Sequence, residues 1–201
     1  MNWNTFILQL FQSAAPYLKK RGDLMHTKVA HQYALVLMNK EGGSKKIVEP
    51  AVILHDVGWS SLSTLQIRAA FGVRACGKNA DKLNRIHEIK GAVIARHILD
   101  NLEYDTQLTK KIVAIIEQHD SGTTASCTEE QIVKDADKLW RFSQKGFWKE
   151  TQRQGIEPKE LYQYLLARYS GWFYTSAALK IAEEEVKNRI HETKQKIKNA
   201  K

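Results

Sequence analysis

Apolar residues recur at helical spacing along most of this 201-residue chain, and no stretch alternates between apolar and polar residues as an exposed strand does. In the opening segment, for example, Phe6, Leu10 and Ala14 fall on one stripe. The predicted helices span residues 3–19, 23–41, 50–56, 86–102, 106–118, 128–142 and 158–168, and Gly171 introduces a long last one. The pattern predicts an all-α helical bundle.

Three stretches are less regular. Gly72 and Gly77 interrupt residues 58–84, for which we predict a short helix near 62–70 and a role as a lid. Gly146 and Gly155 predict a connection rather than a helix. The end of the chain, residues 180–201, is mostly charged, and we interpret it as a solvated helix face, with a nucleic-acid or partner contact as the alternative.

Composition limits the class of protein. A chain of this length with 43% hydrophobic and 26% charged residues can bury one sizeable core, so we expect a single domain over residues 1–201. The net charge of +9 favours anionic partners such as nucleotides, phosphorylated metabolites or nucleic acid. Cys76 and Cys127 have no metal-site spacing and are predicted to be free thiols. The apolar run at residues 6–11 is too short to span a membrane, and we expect a cytoplasmic protein.

The dipeptide His55-Asp56 follows the apolar run from Pro50 to Leu54 and precedes Gly58. We predict that Pro50 opens the helix that carries this pair at its end. An imidazole and a carboxylate are costly at the end of a buried segment unless a metal ion or another charge compensates them.

Four other polar residues lie on apolar stripes: His26, His87, His119 and Asp137. Each one alone is typical of a hydrogen-bonded core residue. Together with the adjacent pair, they predict that several helices bring metal-ligand side chains to one place. Of the two carboxylates in Asp135-Ala136-Asp137, the stripe formed by Val133 and Trp140 favours Asp137 as the inward one.

The order of these residues resembles the H…HD…D signature of the HD superfamily of metal-dependent phosphohydrolases. The resemblance rests on His26, His55-Asp56 and Asp137, and extends from about residue 23 to residue 142. His87 and His119 are similar to the additional histidines of the HD branches that hold two metals, such as the diadenosine tetraphosphate hydrolases and the HD-GYP phosphodiesterases, although the GYP element is absent.

The resemblance implies an HD-domain-like helical bundle with its metal site in a core over residues 20–142 and a C-terminal helical extension, residues 143–201, packed on that core. It implies one or two divalent ions, such as Mn²⁺, Fe²⁺ or Mg²⁺, held by the six residues His26, His55, Asp56, His87, His119 and Asp137. Asp56 would bridge the two ions. Many relatives have a lysine directly after the glycine of the HD motif, where this chain has Trp59.

The activity expected from the resemblance is hydrolysis of a phosphoester or phosphoanhydride bond by a metal-bound hydroxide. The substrate would be a nucleotide or another small phosphorylated metabolite. Arg141, four residues after Asp137, and Lys90, three residues after His87, are predicted to clamp phosphate oxygens, with a surface ion pair or a solvated side chain as the alternative for each. Asp120 is predicted to orient a ligand or water rather than to ligate. We interpret the aromatic residues 172–174 as helix-packing residues, with base stacking as the alternative.

Two other functions stay open. Some HD-fold proteins with a similar ligand pattern hold a mixed-valent di-iron pair and use dioxygen, and Trp59 keeps that alternative. The other is a non-catalytic nucleotide-binding HD module. Nucleic acid is not the expected partner, and the oligomeric state stays open, a homodimer included.

Overall fold

The structure, a computed structural model, describes residues 2–199, without the side chains of residue 191 and residues 193–199. The described residues form eleven α-helices, one short 3₁₀-helix (Val57–Ser61) and no strand. The α-helices are α1 (Trp3–Leu18), α2 (Leu24–Glu41), α3 (Lys45–Leu54), α4 (Thr64–Ala70), α5 (Lys78–Asn101), α6 (Thr106–Ile116), α7 (Thr128–Phe142), α8 (Gln144–Gln154), α9 (Pro158–Leu166), α10 (Tyr169–Trp172) and α11 (Ser176–Asn199). The predicted all-α fold is confirmed.

The pair α2 and α7 forms the most extensive helix contact, and α3 and α6 pack beside it. On the other side, the 3₁₀-helix and α6 both pack on α5. A continuous apolar core runs from Phe6 in α1 to Val186 in α11. A smaller cluster around Trp59 and Leu62 lies beneath α4. The last helix rests on α7 and α9, so the segment after residue 142 packs against the helices that carry the predicted site.

Pro50 does not open a helix, contrary to the prediction. It lies inside α3, which begins at Lys45. A proline inside a helix leaves the carbonyl oxygen four residues earlier without its usual donor, and here that carbonyl belongs to Lys46. The hydroxyl of Tyr104 donates to this oxygen at 2.7 Å, so a residue from another part of the chain makes the proline tolerable.

The glycine-interrupted stretches are more helical than predicted. The predicted short helix is α4, which begins with a capping box between Ser63 and Gln66. The next helix, α5, starts at Lys78 rather than at residue 86. The predicted connection at Gly146 is the helix α8. Gly146 occurs there because a Cβ atom would lie 1.7 Å from the carbonyl oxygen of Trp140, so the close turn from α7 into α8 excludes any larger residue.

The long last helix begins at Ser176 rather than directly after Gly171, which lies inside the short helix α10. The interpretation of residues 180–201 as a solvated face concerns side chains of which those of residue 191 and residues 193–201 lie outside the described part of the chain. Among those described, Arg189 is buried and pairs with Glu185 and Glu192. None of the helices over residues 2–199 is long and apolar enough to cross a membrane.

Candidate metal centre

The His55-Asp56 pair lies where α3 ends and the 3₁₀-helix begins, and both side chains are buried. His55 Nδ1 lies 2.7 Å from the carbonyl oxygen of Val52, one turn earlier in α3. Because a carbonyl oxygen can only accept, Nδ1 carries the proton and Nε2 is directed toward the interior. The backbone of Asp56 leaves the α-helical path at φ −99° and ψ 2°, which turns the carboxylate toward α5.

Four side chains from α2, the α3 end and α7 form the first half of the centre. His26 Nε2 lies 2.9 Å from His55 Nε2 and 3.1 Å from Asp137 Oδ1. Asp56 Oδ2 lies 3.2 Å from His26 Nε2 and 3.4 Å from His55 Nε2. All four residues are buried. Two imidazole nitrogens and two carboxylate oxygens therefore face one another in a space from which bulk water is excluded.

The second half consists of His87 from α5, His119 from the segment after α6, and the other oxygen of Asp56. His87 Nε2 and His119 Nε2 lie 3.4 Å apart. Asp56 Oδ1 lies 3.9 Å from His87 Nε2 and 3.8 Å from His119 Nε2. His119 Nδ1 lies 2.8 Å from the carbonyl oxygen of Ile116, so this ring is oriented in the same way as that of His55.

The two oxygens of Asp56 thus face different halves. Trp59 fixes this orientation, because its indole nitrogen donates to Asp56 Oδ1 at 2.9 Å. The same indole ring stacks on the imidazole of His87, with 4.0 Å between the ring centroids. Arg21 holds the other oxygen, since its Nη2 donates to Asp56 Oδ2.

Burial and neighbouring charges shift the pKa values of the side chains in the centre. Burial alone would raise the pKa of the Asp56 carboxyl, but Arg21 and His55 hold it well below its usual range. Burial would also raise the pKa of Asp137, and the hydrogen bonds from His26 and His55 reverse that effect. Burial lowers the pKa of His87, and the nearby imidazole of His119 adds to the decrease. The carboxylates are therefore ionised, and His87 is neutral.

This donor set fits divalent metal ions. Imidazole nitrogens and carboxylate oxygens are the ligands that zinc, manganese and iron take in proteins. The Nδ1 contacts of His55 and His119 with backbone carbonyls direct each Nε2 toward the centre, and this is the usual support of a metal-bound histidine. Two clusters, His26 with His55 and Asp56, and Asp56 with His87 and His119, bring their ligand atoms within 4.8 Å of one another. The clusters could each hold an ion, with Asp56 common to both.

Comparison with known proteins agrees with this geometry. The model of the HD domain matches residues 24–141. The chain belongs to the HD domain family. A crystal structure at 1.45 Å resolution of a predicted HD superfamily hydrolase from an uncultured Thermotogales bacterium superposes with a TM-score of 0.65 and 17% sequence identity, covering 100% of both chains. At that identity the likeness shows a shared fold. No curated protein matches the sequence.

The two aspartates of the last HD motif have different environments. Asp137 faces His26 and His55. Asp135, two residues earlier in α7, accepts hydrogen bonds from the backbone nitrogens of Tyr174 and Thr175 and from the Thr175 hydroxyl, at 2.8 to 3.2 Å. Asp135 therefore joins α7 to the start of α11, and the structure brings Asp137 rather than Asp135 to the centre.

A cavity of about 480 Å³ opens beside this HD centre. Asp56, His119 and Asp137 form part of its wall, and Arg141 and Lys138 from α7 face it as well. The guanidinium of Arg141 forms no ion pair with any residue over 2–199 and lies 5.9 Å from the ring centroid of Trp172. The aromatic residues 172–174, interpreted from the sequence as helix-packing residues, also line this cavity.

Asp120 and Lys90 differ in where the structure places them. Asp120 lines the cavity next to His119, and its side chain contacts the solvent in that cavity. The surrounding protein walls bury the carboxyl enough to raise its pKa. Lys90 is exposed on α5 and is not among the residues that line the cavity. The structure does not bring Lys90 to the centre, because the face of α5 that packs inward carries His87 and Gly91.

Two buried side chains that support the centre are not predicted from the sequence. Arg21 lies in the connection between α1 and α2, where no periodicity marks it. Glu88 in α5 accepts hydrogen bonds from the backbone nitrogens of Asp120 and Ser121, at 2.8 and 2.9 Å, and so holds the segment that carries His119. The only signal for Glu88 is its position next to His87. Arg74, in the predicted lid segment, pairs with Glu160, and Arg85, directly after that segment, pairs with Glu117. Neither residue lines the cavity.

Proposed function

We propose that this HD protein is a metal-dependent phosphohydrolase that cleaves a phosphoester or phosphoanhydride bond of a nucleotide or another small phosphorylated metabolite. One observation carries the proposal: the two oxygens of Asp56 face two separate imidazole sets at the wall of a cavity that Lys138 and Arg141 also line. A shared carboxylate of this kind is typical of two-metal hydrolytic sites. The relation to a predicted HD superfamily hydrolase of the same fold supports it.

The six residues His26, His55, Asp56, His87, His119 and Asp137 would hold the ions. Bound divalent ions supply Lewis acidity toward phosphoryl oxygens and lower the pKa of water. Manganese, iron and magnesium are the candidate ions, with one or two per chain.

The chain's own residues would bind and orient the substrate. Arg141 has an unpaired guanidinium at the cavity, and its pKa is raised by Asp137 although burial opposes that increase, so it stays a cation that can bind phosphate oxygens. Lys138 lines the same wall, with its Nζ 2.8 Å from the carbonyl oxygen of Trp172. We assign Asp120 to orienting a water molecule beside His119. The aromatic residues 172–174 line the cavity and would contact a nucleobase, so a nucleotide is the substrate that we favour.

A second candidate follows from Trp59. The residue that follows Gly58 contacts Asp56 and His87 as an indole, so the position offers no charge to a phosphate. The same ligands would also suit a mixed-valent di-iron pair that uses dioxygen, as in some HD-fold proteins.

The test is to purify the protein without oxygen, measure its bound metals, and assay panels of nucleotides and phosphomonoesters with Mn²⁺, Fe²⁺ or Mg²⁺. We expect release of phosphate or a nucleotide product by the wild type and its loss in Asp56→Ala. The matched control is Asp100→Ala, the same change at an exposed aspartate of α5. Oxygen consumption with a mixed-valent iron signal would favour the oxygenase. A preparation that binds no metal under any of these conditions would exclude both enzymes and leave the non-catalytic module.

A further inference from the structure

Arg21 is a buried guanidinium that contacts the metal centre from outside the HD motifs. Its side chain is 6% exposed. Nε donates to Asp23 Oδ2 and Nη2 donates to Asp56 Oδ2, so one residue joins the start of α2 to the carboxylate shared by the two halves. A buried arginine is costly unless its charge is paired, and these two carboxylates provide the pairing.

Two aromatic rings flank this guanidinium. Its central carbon lies 4.4 Å from the ring centroid of Trp59 and 4.8 Å from that of Phe71. Cation–π contacts of this kind restrict the guanidinium without using its N–H groups. The Arg21 head is therefore held in one orientation before any ligand arrives.

Asp23 is itself anchored, which makes that orientation more rigid. Its other oxygen accepts from Arg153 at 2.9 Å, and Arg153 pairs in turn with the buried Glu150 of α8. Glu150 also accepts from the indole nitrogen of Trp140 at 2.8 Å. A chain of charged groups thus extends from α8 to the metal centre and ends at Arg21.

One nitrogen of Arg21 is left over. Across residues 2–199, Nε and Nη2 have acceptors, whereas Nη1 has none. Arg21 lines the same cavity as Asp56, His119 and Asp137. Two N–H groups of a permanently charged, immobilised guanidinium are therefore available beside the position where a substrate would meet the centre. An oxyanion is the ligand that such donors bind best.

We propose that Arg21 binds a phosphoryl oxygen of the substrate through Nη1 while Nη2 keeps Asp56 in its bridging orientation. The proposal rests on the proposed function for the identity of the substrate. It assigns the phosphate-binding charge to the connection between α1 and α2, from which sequence reasoning predicts no contribution. Arg141 then lies on α7 as a second cation of the same cavity.

The alternative is that Arg21 is only a counter-ion for Asp23 and Asp56. The two roles predict different results, because a counter-ion would affect stability and metal content without contributing to the affinity for free phosphate. A phosphate ligand would change that affinity at unchanged metal content.

The experiment uses the full chain loaded with Mn²⁺ and measures the dissociation constant of inorganic phosphate by calorimetry, with bound metal quantified in each sample. We expect Arg21→Ala to weaken phosphate binding about 10- to 100-fold, the usual effect of losing charge-assisted hydrogen bonds. Arg21→Lys keeps the charge without the planar fork and should weaken binding about 3- to 10-fold. The matched control is Arg96→Ala, the same change at an exposed residue of α5, which should bind phosphate like the wild type.

Wild-type phosphate affinity in a folded, fully loaded Arg21→Ala protein would overturn the proposal. Should that variant not fold, wild-type affinity in Arg21→Lys would overturn it equally, as would a wild type that binds no phosphate. The outcome also separates the two claims. Arg21-dependent phosphate binding without any hydrolysis would leave this inference standing and refute the phosphohydrolase. Hydrolysis with unaltered phosphate affinity in the Arg21 variants would refute this inference and leave the phosphohydrolase standing.

Discussion

Gly58, two residues after Asp56, sets the distance between the HD pair and α5, and its replacement by alanine would disturb the metal centre. A Cβ atom at this position would lie 1.9 Å from the carbonyl oxygen of His87 and 2.4 Å from the nitrogen of Gly91. Ordinary contact begins at 3.4 Å, so the 3₁₀-helix and α5 would have to separate by about 1.5 Å. Both obstructing atoms belong to the α5 backbone, and no side-chain rotation can relieve the clash.

Overpacking a core costs about 1–3 kcal/mol and occasionally more. Because a helix backbone has to move here, we expect Gly58→Ala to lower the free energy of unfolding by about 3 kcal/mol. For a chain of this size, that corresponds to a decrease in Tm of about 6–12 °C. The same shift would move Asp56 away from His87, so we also expect a smaller amount of bound metal.

The measurements are thermal unfolding followed by circular dichroism and metal content after dialysis. Gly91→Ala is the matched control on the facing helix, because its Cβ would meet atoms of Gly58, His55 and Ile116 no closer than 3.4 Å. Alanine stabilises a helix interior by about 0.5–1 kcal/mol relative to glycine, so this variant should keep its metal and unfold at the same or a higher temperature. A Gly58→Ala protein with wild-type Tm and metal content would refute the reasoning, as would an equal loss in Gly91→Ala.

Two further predictions concern buried carboxylates. Asp137→Asn should lose metal, because it removes the carboxylate that faces His26 and His55. Asp135→Asn should keep its metal and lower the free energy of unfolding by about 1–3 kcal/mol, because an amide cannot accept all the hydrogen bonds that Thr175 and its neighbour donate. Metal analysis and thermal unfolding of both variants check this, and loss of metal in both would contradict it. Burial opposes ionisation of Glu49, but the hydrogen bond with His31 lowers the pKa of the Glu49 carboxyl below 4.5. The ionised carboxylate therefore stabilises the folded protein above pH 4.5, and this stabilisation disappears as the pH falls through the pKa in the folded protein. Urea unfolding should therefore show a difference in stability between wild type and Glu49→Gln that is largest near pH 7 and shrinks below pH 4.5, and a constant difference across that range would contradict the assignment.

Helical periodicity predicts the fold class and the inward position of the ligands because it depends only on local geometry. His26, His87 and Asp137 lie on apolar stripes of helices, and a residue on such a stripe faces the core wherever the helix packs. The distances between the ligands do not follow from periodicity. They depend on how α2, α5 and α7 pack, which is a property of the whole fold.

The errors in the sequence interpretation come from packing contacts that helical periodicity does not encode. Pro50 lies inside α3, and Tyr104, 58 residues from Lys46, donates to the carbonyl oxygen that the proline leaves without its helical donor. Gly146 interrupts the helical pattern because of its close contact with Trp140. Lys90 is three residues from His87, yet spacing alone does not decide which flank of a long helix faces solvent.

Trp59 illustrates how such contacts change the interpretation of one position. Taken alone, a tryptophan where relatives have a lysine removes a positive charge from the centre and weakens the case for phosphate chemistry. In the fold, the indole donates to Asp56, stacks on His87 and lies 4.4 Å from the Arg21 guanidinium. A lysine at this position could supply the charge but not the stacking surface that orients Arg21. The absence of a lysine and the presence of a buried arginine are therefore parts of one arrangement, and Trp59 by itself is a weak argument against a phosphohydrolase.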